Sequence, residues 1–136
     1  MKEDKHHEVL KEVLDEIESA LRDKNGMLLH QRRLAFSLSL GAVNLLELYF
    51  HKLKTIKEGT KIDHTWFKRN EEKIFEKLQN QVTCEINSVK HIKDIVNIIK
   101  QIEEKRDDLA YGAPSNENLL QEKINLFFKL KEIVKC

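Results

Sequence analysis

The run Lys105-Arg106-Asp107-Asp108-Leu109-Ala110-Tyr111-Gly112 concentrates a guanidinium, two carboxylates and a phenol within two helical turns. It follows an apolar stripe of Ile92, Ile95, Val96, Ile99 and Ile102. Arg106 falls one heptad beyond Ile99 on the same face, and Leu109 and Ala110 resume the apolar pattern. A guanidinium in an apolar row needs an acceptor or a polar cleft, because an unpaired buried charge is costly. The planar fork of arginine suits phosphate, so Arg106 with Tyr111 reads as an anion site. The competing reading is an arginine near a helix C-terminus, favoured there by the dipole and paired to Glu103 or Asp107. Asp107 and Asp108 then lie where that dipole disfavours negative charge. A helix end that breaks two local rules is a candidate for function.

A second constellation lies on an earlier helix. Ser37, Gly41, Asn44, Glu47 and His51 fall near one line at three- and four-residue steps. An amide and a carboxylate on an otherwise apolar helix need partners, and Arg106 is the expected partner of Glu47 or Asn44. The same line reads alternatively as a solvated strip or a dimer seam, with Gly41 permitting close approach. The histidines are His6, His7, His30, His51, His64 and His91. None pairs with another at the spacing of a helical metal site, so neither a metal nor a cofactor is expected. His6 and His7 read as a frayed, exposed end. Arg32, Arg33, Lys52, Lys54, Lys57 and Lys61 either line a phosphate backbone or form a solvated face. The chain shows no glycine-rich phosphate loop, nucleophile elbow or helix-turn-helix signature.

Composition bounds the elements that must hold these groups. The 136 residues suffice for one domain, 1–136, with a real core. Hydrophobic residues are 40% and charged residues 35%, a globular balance. One proline and four glycines favour long helices over a turn-rich β fold. A net charge of +1 gives no global pull toward nucleic acid or a membrane. Lysines outnumber arginines 19 to 5, which makes each arginine worth inspecting. Cys84 and Cys136 are isolated and read as free thiols in a reducing, cytoplasmic compartment. The first residues lack the apolar region of a signal peptide. Residues 34–50 are the most apolar run, interrupted by Ser37, Ser39, Asn44 and Glu47. That run reads as too short and too polar to span a membrane, and predicts a helix buried on most sides.

Five helical segments are predicted. The first covers about 5–24, with Val9, Leu10, Val13, Leu14, Ile17, Ala20 and Leu21 on one face and Gly26 as a left-handed cap. The second covers about 27–57. The third follows Asp63 as N-cap, with Trp66, Phe67, Ile74, Phe75 and Leu78 on its buried face. Residues 80–87 read as either loop or continuation. Ser88 is the expected cap of a fourth helix running from 89 to about 110, punctuated by Gly112 and Pro114. Ser115 or Asn116 caps the last. Short connections between long amphipathic helices predict an all-α, up-and-down bundle of about five helices.

On two regions the chain resembles a HEPN domain, the compact helical bundle of many prokaryotic toxins and RNA-processing factors. Residues 34–67 resemble the family's early helix pair, with an internal acid, Glu47, and a short loop into Asp63-His64. Residues 89–112 resemble its signature helix, which ends in Arg-Asn-x-x-x-His or a related Arg-to-His spacing. The resemblance implies a homodimer in which arginine and histidine cut RNA without metal. It places Arg106 as the charge-stabilising arginine and Glu47 or Asn44 as the orienting polar residue. At the histidine position the chain carries Tyr111, and no histidine lies C-terminal of His91. Tyrosine ionises near about 10, which makes it a poor base at neutral pH. Asp107 stands where the family has asparagine. The resulting expectation is an RNA- or nucleotide-binding module with a degenerate catalytic motif. It would be one half of a toxin–antitoxin pair, with a nucleotidyltransferase-type antitoxin as partner. The alternatives are an active metal-independent endoribonuclease using Arg106 with Tyr111 or Asp108, and a structural interaction domain in which Arg106 makes only an internal salt bridge.

Overall fold

The computed structural model describes residues 3–135. Its helices are α1 (Glu3–Arg22), α2 (Gln31–Lys52), α3 (Glu71–Gln79), α4 (Ile92–Glu103), α5 (Arg106–Tyr111) and α6 (Glu117–Lys135). Three 3₁₀ turns, Met27–His30, His64–Lys68 and Ile86–Ser88, join them. The protein is an all-α helical bundle of five longer helices plus the six-residue α5. No strand occurs among the described residues; the ambiguous segment around Val82 forms only an isolated bridge to Ile56.

Helix α2 is the hub, packed against α1, α4, α5 and α6. Every residue from 41 to 50 is buried, as an apolar pattern on all sides requires. By length and composition Met27–Lys52 is long and apolar enough to cross a membrane, unlike the shorter run read from sequence. Within the fold, 78% of its most apolar window is buried. Gly41 sets the closest approach. A Cβ there would sit 2.7 Å from the Phe127 ring and 3.0 Å from Val13. Its small size therefore serves α6 and α1 of the same chain, not the dimer seam entertained from sequence. The α1 stripe is buried through Leu10, Val13, Ile17 and Ala20, whereas Leu21 is exposed.

Several helix ends depart from the sequence expectation. Asn116 is the cap of α6, its Oδ1 accepting the Leu119 amide at 2.8 Å. Asp63 caps a 3₁₀ turn at Thr65, and Asn70 caps α3 at Lys73. Ser88 caps nothing; its hydroxyl donates to the Glu85 carbonyl at 2.6 Å. The fourth helix instead starts at Ile92, after His91 in the left-handed region. Helix α2 ends at Lys52, where Lys54 takes a φ of 58°. Gly26 takes the positive φ, 98°, that a glycine allows, but its ψ of 160° is not that of a left-handed helical cap. His6 is not frayed: it is fully buried against α2. Cys84 is a half-buried free thiol, and Cys136 lies outside the described residues.

The largest departure falls at the opening segment. Residues 89–110 are not one helix. The chain breaks after Glu103, and Lys105 enters the left-handed region at φ 63°, ψ 11°. Arg106 therefore does not continue the heptad of Ile99. Asp107 and Asp108 stand in the first turn of a new helix, where negative charge is favoured. The apparent violation of the dipole rule disappears.

Candidate functional site

Helix α5 is too short to hold itself, because a helix this size leaves most of its carbonyls without intrahelical partners. Helix α2 supplies them. Gln31 Nε2 donates to the carbonyls of Leu109 and Ala113 at 3.1 and 3.2 Å, and its Oε1 accepts the Ser115 amide at 2.7 Å. Arg32 Nε donates to the Ala110 carbonyl at 2.9 Å. Gly112 closes the turn with its amide on the Asp108 carbonyl at 2.8 Å; a Cβ there would lie 2.4 Å from that oxygen. The sharp break before α5 and these clamps together aim Arg106 back at α2.

The Arg106 side chain is 13% exposed. Its Cζ lies 4.9 Å from the centre of the Phe36 ring. Its Nη1 donates to Asp107 Oδ1 at 3.0 Å, while its Nε is buried without a hydrogen-bond acceptor. Lys68 Nζ donates to the other Asp107 oxygen at 2.6 Å, and this bond, foremost, holds the Asp107 carboxyl below its ordinary range. Tyr111 is 72% exposed and meets Phe36 edge-on, with ring centres 5.9 Å apart. Asp108 is exposed.

Beneath Arg106 lies Glu103, which the sequence reading named only as a salt-bridge partner of that arginine. Glu103 is buried and accepts from Ser39 Oγ and from His64 Nδ1, both at 2.7 Å. Its Oε1 is 4.0 Å from Arg106 Nε, too long for a hydrogen bond. Four elements thus converge: α2 with Phe36 and Ser39, the His64–Lys68 turn, the end of α4 with Glu103, and α5. Beside them opens a cleft of about 520 Å³, lined by Phe67, Lys68, Asn97, Lys100, Glu103, Arg106 and Asp108 among others. Among the described residues no cluster of metal-ligating side chains forms.

Asn44 and Glu47 do not join this site. Asn44 Oδ1 accepts from His6 Nδ1 at 2.8 Å, and its Nδ2 donates to the Leu40 carbonyl. Glu47 lies two turns past Ser39, about 12 Å along the helix axis. Burial pushes its carboxyl up to about 7, against the opposing pull of the Ile62 backbone amide and Lys61 among others. The expected pairing with Arg106 therefore fails for both. The polar line is not a solvated strip either, since Gly41, Asn44 and Glu47 are buried. Among the basic positions, Arg33 is engaged with Glu16 and His30, and Lys52, Lys54, Lys57 and Lys61 are exposed.

Glu103 had a signal in the sequence. It lies four residues after Ile99 on the apolar stripe, so the charge out of place was the glutamate as much as the arginine. His64 and Ser39 had none, because their relation to Glu103 spans 39 and 64 residues. Compared with known proteins, the chain matches no family model, no curated protein and no solved structure.

Proposed function

We propose that the chain is a HEPN-like module that binds the phosphate of RNA or of a nucleotide in the cleft beside α5. The observation that supports this most is the state of Arg106: packed on Phe36 at the cleft wall, with Nε buried and lacking an acceptor. Lys68 adds a second cation, and a single exposed carboxylate, Asp107, bridges the two. A phosphate group has oxygens enough to engage both cations in place of Asp107. The exposed Tyr111 ring offers a face on which a base can stack.

The resemblance extends the proposal to a homodimer and to pairing with a nucleotidyltransferase-type antitoxin. For the homodimer, Phe36 and Leu40, one turn apart on α2, are exposed apolar residues, and Tyr111 continues the strip from Phe36. Light scattering on wild type and Leu40→Glu tests that seam; a dimer that becomes monomeric supports it, and a monomeric wild type removes it.

The binding test is fluorescence anisotropy with single-stranded RNA and with ATP. Arg106→Ala is expected to weaken binding at least about tenfold while keeping the wild-type melting transition. Should wild type bind neither probe and Arg106→Ala simply unfold, Arg106 is an internal ion-pair residue and the structural reading stands. The endoribonuclease reading draws support from one observation, the histidine that the fold brings to Glu103.

A further inference from the structure

A groove on the other side of α2 has a different chemistry from the cleft beside α5. Nine residues, about two and a half turns, separate Phe36 from Leu45 and Ser39 from Leu48, so the members of each pair face opposite ways. Helices α1 and α6 both pack on α2 and hardly on each other. Val13 and Phe127 meet over Gly41, which shuts one end of the space between them. Toward the C-terminal end of α2 that space opens into a groove of about 450 Å³. Its apolar lining is Leu10 and Leu14 of α1, Leu45 and Leu48 of α2, and Val134 of α6. Among the described residues, the cleft beside α5 has one apolar side chain in its wall, Phe67. Four lysines ring the groove: Lys11 of α1, Lys52 at the end of α2, and Lys131 and Lys135 of α6. All four are exposed. Among the described residues, lysine ion pairs are formed by Lys5, Lys68 and Lys73, and by none of these four. Asp15 is the one carboxylate that the described lining sets against them. In a chain of net charge +1, three helices thus gather an excess of cations around one apolar slot. Lysine stems extend such an apolar wall while their ammonium heads stay in water.

We propose that this groove binds a long-chain fatty acid, its acyl chain along Leu45 and Leu48 and its carboxylate among the lysines. The volume is that of a small-molecule site. A stable protein interface instead buries on the order of 1,200 Å² or more. An acyl chain asks for no hydrogen bond, and the leucine and valine side chains offer none. A carboxylate asks for a cation, and the rim holds four lysines that are not spent on acids of the chain. The rim has no arginine among the described residues, so it presents point charges and not the planar forks that suit phosphate. From Gly41 to Lys52 the helix advances about 16 Å, and an extended chain of twelve carbons has about that length. Each methylene laid on the floor tightens binding up to about fourfold, until the shut end at Gly41 is reached.

The test is calorimetric titration of the full chain with dodecanoate below its micelle-forming concentration. One-to-one binding is expected, at least about tenfold tighter than that of octanoate. Dodecyltrimethylammonium, which carries the same chain and the opposite charge, is expected not to bind. In amide NMR spectra, dodecanoate is expected to shift Leu45, Leu48 and Val134 and to leave Arg106 and Leu109 in place. The double variant Lys52→Glu with Lys131→Glu is expected to bind dodecanoate at least about tenfold more weakly. Lys131→Gln with Lys135→Gln serves as a milder second variant, and thermal melting checks that both fold. Absence of binding at millimolar dodecanoate would overturn the proposal. So would equal binding of the cationic surfactant, shifts centred on Arg106, or wild-type affinity in both lysine variants. Sedimentation with vesicles of anionic phospholipid, without binding of free dodecanoate, would also overturn it and make this face a membrane-docking surface.

Discussion

Glu47 and Glu103 are each 3% exposed, yet they occupy opposite situations. Glu103 receives a donor on each oxygen, from Ser39 and His64. Glu47 keeps Oε1 without a hydrogen-bond partner, and burial drives its carboxyl up to about 7. One acid is buried within a bonded network that opens on a cleft. The other is buried against its own chemistry. The difference teaches that burial of a charge is not by itself the mark of a working site. What marks the site is that other elements have been brought to satisfy the charge while leaving a neighbouring group, here the His64 ring, partly open.

The largest effect that tests this contrast is on stability at Glu47. The folded carboxyl titrates near 7 and the unfolded one near 4.5. Between those values the folded state binds more protons, so stability falls as pH rises through the window and levels off above it. Glu47→Gln removes that dependence. Relative to wild type, the variant is expected to gain about 3 kcal/mol on passing from below about pH 4.5 to about pH 8. Urea unfolding at both ends of the range measures it. A difference that does not change with pH would mean that Glu47 is as well accommodated as Glu103, and the contrast would collapse.

The same substitution at Glu103 is expected to have the opposite sign. Glu103→Gln swaps an oxygen that accepts for an amide that must donate, in a pocket where both partners donate. The expected loss is about 2 kcal/mol at neutral pH. A stabilised or unchanged Glu103→Gln would show that the network is not built around the charge. A third carboxylate sharpens the comparison from the outside. Asp107 is exposed and bridges Lys68 and Arg106. Asp107→Asn leaves both cations without a full countercharge, so affinity for inorganic phosphate or RNA is expected to rise by about tenfold, with melting little changed. Weaker binding in this variant would place the ligand away from these two cations.

Much of the architecture was legible because it depends on local periodicity. The stripe of Leu10, Val13, Ile17 and Ala20 and the all-round apolarity of residues 41–50 each require a definite kind of burial, and the fold provides it. Helix ends were less legible. The break at Glu104 and Lys105 contains neither glycine nor proline, and a lysine in the left-handed region is strained, by about 1 kcal/mol, for reasons that lie outside the segment. Those reasons are Gln31 and Arg32, far away in sequence, which hold α5 by its carbonyls. Arg106 stood out because a lone charge at the end of an apolar stripe is a local anomaly. His64 did not, because nothing about Asp63-His64-Thr65 signals a buried glutamate nearly forty residues on. Single residues announce their own misfit, whereas a site assembled from four elements is visible only once they are folded together.

The smallest expected effect isolates the contribution of Ser39. Its hydroxyl is buried and donates to Glu103 Oε2, and it sits on α2, where alanine is the better helix former. Ser39→Ala therefore removes one charge-assisted bond and gains back a few tenths of a kcal/mol in propensity, for a net loss of about 1 kcal/mol. The effect should vanish in a Glu103→Leu background, because the hydroxyl then has no charge to serve. A double-mutant cycle by urea unfolding reads this coupling directly. If Ser39→Ala costs the same in both backgrounds, the serine serves its own helix, and Glu103 is oriented by His64 alone. A coupling near the full effect would instead make Ser39, Glu103 and His64 one unit, which Glu47, with an unpartnered oxygen, cannot form.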